Sequence, residues 1–126
     1  MNKLHLLIFI LSISFISAAN SQSPLEGIWQ GNLESEFQSA QLSWKFSDEK
    51  YDLDMNIDGT IEVSGKWEIR DDRLYLWDLS GPMACPESQT GIYDFTIKDN
   101  TMILSLVEDD CLGRKMMGPN VSWIKK

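Results

Sequence analysis

The sequence predicts an all-β fold: about eight antiparallel strands in up-and-down order, closed into a barrel, with a two-sheet β-sandwich as the competing arrangement. Three observations carry this expectation. Apolar and polar residues alternate with period two through successive short segments, as in strands with one face in a core. Turn-forming pairs recur between those segments, at Asp58-Gly59, Asp71-Asp72 and Asp99-Asn100. No stretch carries an apolar stripe at helical spacing. Alternation fits barrel and sandwich alike, but closure removes the edge strands that an open sheet must protect, which favours the barrel.

Met1 to Ala19 has the form of a secretory signal peptide. Lys3 supplies its positive start, and Leu6 to Ile16 its apolar run, broken only by Ser12 and Ser14. Ser17-Ala18-Ala19 presents the small residues a signal peptidase reads, which places cleavage after Ala19. The run falls short of the ~20 residues that cross a bilayer, and no cysteine beside the cleavage site offers a lipid anchor. The expected mature domain, 20–126, has 107 residues, enough for one core. Its expected destination is the periplasm or the extracellular medium.

After a polar leader, Pro24 marks the start of ordered structure, and Gly27 to Leu33 is the first strand. Gln41 to Ser47 sets Leu42, Trp44 and Phe46 on one face and Ser43, Lys45 and Ser47 on the other. Tyr51 to Ile57 repeats the pattern with Tyr51, Leu53, Met55 and Ile57. Asp58-Gly59 is the pair that favours a type I′ hairpin, because both residues tolerate positive φ. The return strand runs to Arg70 and carries Ile61, Val63, Gly65, Trp67 and Ile69, with Gly65 the expected seat of a bulge or bend. Arg73 to Asp78 is apolar on both faces, so its inward side is left open. Ser80 to Thr90 is irregular. Ile92 to Ile97 turns inward through Tyr93, Phe95 and Ile97, Thr101 to Val107 returns, and Arg114 to Met117 and Val121 to Ile124 end the chain as short strands.

The formal charge is −8, and −9 once Lys3 is removed. Such acidity argues against nucleic acid and anionic lipid surfaces, both of which recruit basic patches. Cys85 and Cys111, an even count in a chain bound for an oxidising compartment, are expected to form one disulfide. The chain-entropy relation gives such a link roughly 3.5 kcal/mol. The one histidine, His5, lies in the signal segment, so histidine-based triads, general bases and metal ligands are excluded from the mature domain. The expectation is a non-catalytic protein without cofactor or metal.

Gly27-Ile28-Trp29, at the head of a small exported domain patterned in strands, resembles the Gly-x-Trp opening of calycin barrels, the lipocalins and their relatives. In that family the tryptophan closes the base of the barrel and an arginine near the C-terminus packs over its ring. The resemblance assigns these roles to Trp29 and Arg114, with Gly27 opening the strand. Asp110-Cys111-Leu112-Gly113-Arg114 is similar to the closing segment of small exported members, whereas the family's Thr-Asp-Tyr motif is missing, since 90–94 reads Thr-Gly-Ile-Tyr-Asp. The resemblance implies a barrel that holds a small apolar or amphipathic ligand. Inward residues expected to line it are Trp44, Phe46, Leu53, Met55, Trp67, Tyr93 and Phe95. The alternative is that these bulky side chains fill the interior and the loops bind another exported protein, as an interaction or inhibitor module. An enclosed cavity of ~300 Å³ or more separates the first reading from the second.

Other constellations have plainer explanations. Asp54 to Gly59 matches the first half of an EF-hand loop, but Gly65 stands where the bidentate glutamate belongs and the flanks alternate as strands. Glu108-Asp109-Asp110 reads as a solvated loop. Met83, Met116 and Met117 are soft ligands that could gather near the cysteines, although methionine in a small domain is more often packing. Trp77, on the strand without a polar face, is the tryptophan most suited to an exposed binding surface.

Overall fold

The chain is described by a computed structural model at residues 23–34, 36 and 39–126; the segment read as a signal peptide, 1–19, lies outside them. Eight strands follow in order: β1 (Gly27–Glu34), β2 (Ser39–Ser47), β3 (Lys50–Met55), β4 (Val63–Arg70), β5 (Arg73–Ser80), β6 (Gly91–Lys98), β7 (Thr101–Asp109) and β8 (Trp123–Lys125). Every neighbouring pair is antiparallel, and the order around the sheet is the order of the chain. The ends join: β8 pairs with β1 at Trp29↔Lys125 and Gln30↔Ile124, and with β7 at Met102↔Trp123. That closure makes the fold a barrel rather than a sandwich.

The alternation reads out as inside and outside. Leu42, Trp44 and Phe46 of β2, Tyr51 and Leu53 of β3, Leu74 and Leu76 of β5, and Met102 and Leu104 of β7 are all buried, while their neighbours face water. Gly65 interrupts the row on β4 for a reason of space. A Cβ there would sit 2.2 Å from the Tyr51 ring and 2.3 Å from the Trp77 carbonyl oxygen. The register between β4 and β5 shifts at this point, Ser64 pairing with Ser80 but Gly65 with Asp78, which leaves Leu79 as the extra residue of the bulge expected at Gly65.

The two ends of the barrel differ. Asp48-Glu49, Asp71-Asp72 and Asp99-Asn100 are two-residue turns with positive φ at both positions, and all three lie at one end. Such turns match the right-handed twist of the strands they join. The longer connections 56–62, 81–90 and 110–122 lie at the other end. Asp58-Gly59 is therefore not the tight hairpin expected of it: β3 stops at Met55 and β4 starts at Val63. Carboxylates hold the wider loop instead. Asp54 accepts the Asp58 and Gly59 N–H groups, and Glu62 accepts that of Met55 at 2.6 Å.

The second departure is at 112–117. Arg114 to Met117, expected as a strand, belongs to a six-residue helix, α1 (Leu112–Met117), followed by a 3₁₀ turn at Gly118–Asn120. Arg114 and Met117 are its buried residues, three apart and on one face. Six residues, fewer than two helical turns, are too few to show periodicity in sequence, so the segment carries no signal to separate it from a strand.

Candidate functional site

Aromatic side chains fill the barrel up to the end with the tight turns. Trp44 packs on Phe46 at 4.8 Å and on Trp123 at 5.0 Å between ring centroids, and Phe46 meets Trp67 edge-on at 5.8 Å. Trp29 is fully buried beside them, its Nε1 donating to the Leu25 carbonyl at 2.8 Å. The cation over its ring is Lys125, at 5.3 Å, and not Arg114. The resemblance placed an arginine there, but this barrel closes through β8, whose pairing with Trp29 delivers Lys125 to that ring.

Arg114 is engaged elsewhere. Its Nε and Nη2 donate to both Asp109 oxygens at 2.7 and 2.8 Å, its Nη1 donates to Asp78 at 3.0 Å, and Nη2 reaches the Gln89 carbonyl at 2.7 Å. Tyr51 donates to Asp78, and Tyr93 to Asp109. The two cysteines add backbone N–H donors, Cys85 to the second oxygen of Asp78 and Cys111 to the Asp109 oxygen that also takes Arg114 Nη2. The Cys85–Cys111 bond, with Cα atoms 5.9 Å apart, thus ties together the two segments that complete the network. Asp78, Asp109 and Arg114 are each at most 6 % exposed. Burial first, and then the Asp78 charge and hydrogen bond, hold the Tyr51 phenol protonated well beyond the usual tyrosine range. Burial and the bond to Asp109 do the same for Tyr93. Burial alone would lower the pKa of Arg114, but the Asp109 hydrogen bond and the surrounding charges outweigh it and raise it. Glu108-Asp109-Asp110 is therefore not wholly the solvated loop it resembles, since Asp109 is interior.

Beside this network, at the end with the longer loops, lies a cavity of about 250 Å³ between the barrel mouth and α1. Trp44, Tyr51, Leu53 and Val63 form its barrel wall, while Asp78, Cys111 and Arg114 border it from the network. Four of the six methionines gather on it: Met55, Met83, Met116 and Met117. Met83 and Met116 are 56 and 58 % exposed, and so stand at the rim. The cavity is smaller than the ~300 Å³ named for the ligand reading, and it opens to solvent. Of the residues expected to line a pocket, Trp44, Leu53 and Met55 do so. Phe46 and Trp67 pack in the aromatic layer, Tyr93 is spent on Asp109, and Phe95 packs half-buried against the core.

Trp44 is the anomaly of this wall. Trp29, Trp67, Trp77 and Trp123 each donate their indole N–H, to Leu25 O, Lys50 O, Thr90 Oγ1 and Gly118 O respectively. The Trp44 Nε1 is buried and finds no acceptor among the described residues. Leaving a buried donor unpaired costs about 1–3 kcal/mol.

Other candidates are less able to hold a ligand. Trp77 is half-buried on the outer wall, stacked on Tyr75 and flanked by Lys66 and Arg70, so its faces are already covered. Asp54, Asp58 and Glu62 converge, but their oxygens accept loop N–H groups. Asp78, Cys85 and Cys111 also converge, but both sulfurs are in the disulfide and offer no thiolate.

No protein-family model matches the chain, and no curated protein or solved structure gives a significant match. The class is thus defined by geometry alone: a closed, eight-stranded, antiparallel up-and-down barrel with one disulfide and one short helix at its mouth. This architecture is compatible with a lipocalin-like fold.

Proposed function

We propose that this protein is an exported, non-catalytic, lipocalin-like barrel that binds a small apolar or amphipathic molecule in the cavity under α1. The observation that carries the reading is the cavity itself: apolar walls at the loop end of a barrel whose other end is filled. The cavity, about 250 Å³ and open to solvent, lies just below the roughly 300–1,000 Å³ usual for ligand pockets. The shortfall from a larger pocket therefore argues for a small ligand rather than a long-chain lipid. Methionine at the rim supports the reading, because unbranched thioethers adapt to ligands of different outline.

The interaction-module alternative draws on Leu112, Met83 and Met116, which leave apolar surface exposed around the same opening. Calorimetric titration with naphthalene, a ten-carbon apolar probe, separates the two. The ligand reading expects one saturable site of micromolar affinity, weakened at least about tenfold by Met55→Trp, which sets a larger side chain on the cavity wall. Absence of binding to the folded, disulfide-intact protein would pass the lead to the protein-partner reading.

A further inference from the structure

Four methionines border the cavity, and packing accounts for only some of them. Met117 is buried, as is Met102 elsewhere in the core, which is how methionine used for packing behaves. Met83 and Met116 are more than half exposed at the opening and bury too little to be explained that way. The disulfide is what gathers them. Met83 lies close before Cys85 in the chain, and Cys111 is the N-cap residue of α1, which carries Met116 and Met117. Bonding Cys85 to Cys111 therefore holds the loop of Met83 and the helix of Met116 and Met117 at the same solvent-open mouth.

Thioether sulfur is a soft, uncharged donor, and it suits copper(I) rather than harder divalent ions. The residues present leave little for a different metal. Zinc and copper(II) favour imidazole or thiolate, but the one histidine of the chain is His5, and Cys85 and Cys111 are bonded to each other. Asp78 and Asp109, beside the cavity, are engaged by Arg114, the two tyrosines and the cysteine N–H groups. Their two negative charges still stand against one guanidinium, so the neighbourhood favours a cation over an anion. A monovalent ion held by neutral donors balances that excess.

We propose that the mouth of the barrel binds a soft monovalent cation, copper(I), through the thioether sulfurs of Met83, Met116 and Met117. The lack of histidine after residue 5 rules out imidazole sites and leaves this one untouched. Unbranched side chains with three rotatable bonds let the sulfurs close on an ion without a shift of the backbone. The ion enters and leaves as copper(I), and no electron is transferred. This inference goes beyond the ligand reading and does not depend on it, because an apolar molecule uses the cavity walls and an ion uses sulfur lone pairs.

Silver(I) is the first probe, a soft monovalent ion that stays in one oxidation state in air. Disulfide-intact protein carrying methyl-¹³C methionine is titrated with silver(I) nitrate in chloride-free buffer, and separately with zinc(II). Silver is expected to shift the methyl resonances of Met83, Met116 and Met117 together, saturating at a one-to-one ratio, while Met102 stays unmoved. Zinc is expected to shift none of them. Copper(I), supplied as its acetonitrile complex under nitrogen, should reproduce the silver shifts. Met83→Leu combined with Met116→Leu, at two exposed positions, is expected to lower silver affinity at least about tenfold. The resonances of the unaltered protein decide the matter if that variant does not fold. A response limited to one methionine, an equal response in Met102 or to zinc, no response to copper(I), or unchanged affinity in the double variant would overturn the inference. Naphthalene binding by a protein that ignores silver would do the same and leave the ligand reading standing. A silver response without naphthalene binding would remove the ligand reading and keep the metal site.

Discussion

Arg114 shows how much of this molecule depends on one charged side chain kept from water. Its guanidinium is shared between Asp78 and Asp109, each of which also accepts a tyrosine hydroxyl and a cysteine N–H. Removing it strands two buried carboxylates. Arg114→Met is therefore expected to destabilise the fold by about 3–5 kcal/mol in denaturant unfolding, although methionine restores much of the lost volume. The tyrosines give a pH signature. Their folded pKa values lie above the unfolded value of about 10, so the stability they contribute is complete below pH 10 and falls as pH rises beyond it. Phenolate absorbance should report Tyr51 and Tyr93 as silent until the chain unfolds in alkali. Ionisation of both in the native barrel would contradict the network. The base of the barrel offers a separate check: Trp29 should couple to Lys125 in a double-mutant cycle and be additive with Arg114.

At the scale of the elements, the β4–β5 pair does more than add two strands. The bulge at Leu79 and the missing side chain at Gly65 let the Tyr51 ring lie across β4 and reach Asp78. Gly65→Ala is expected to cost about 1–3 kcal/mol, because its methyl meets the Tyr51 ring and a main-chain carbonyl that is fixed in the ladder. A neutral result in thermal unfolding would mean that this approach is looser than drawn. Much of this level was legible from the sequence. Period-two alternation through Gln41 to Ser47 and Tyr51 to Leu53 marked inward faces, and Gly65 marked the bulge. Parity would also have found Asp78, which follows Leu74 and Leu76 at the same spacing of two. Asp109 was hidden, because the register shift near Ile92/Tyr93 breaks the parity of β7 before it reaches that residue. Asp58-Gly59 misled for a different reason: side-chain carboxylates of Asp54 and Glu62 outcompete the two-residue turn by satisfying loop N–H groups.

Taken whole, the barrel is a filled base with an adaptable mouth. Two-residue turns and packed aromatics close one end, and the disulfide, α1 and four methionines surround the opening at the other. The site was only partly visible in advance, since the sequence could mark inward faces but not which end of the barrel the aromatics would occupy. Trp44, Leu53 and Met55 fell on the cavity; Phe46 and Trp67, equally inward, fell on the base. The ligand claim has a direct reporter in the methionines. With methyl-¹³C methionine in the disulfide-intact protein, naphthalene should shift the resonances of Met55, Met83, Met116 and Met117 through its ring current. Met102, buried in the core and away from the cavity, should stay unmoved. Saturable shifts confined to those four would place the ligand under α1. Shifts absent from all four, or equal in Met102, would contradict the account.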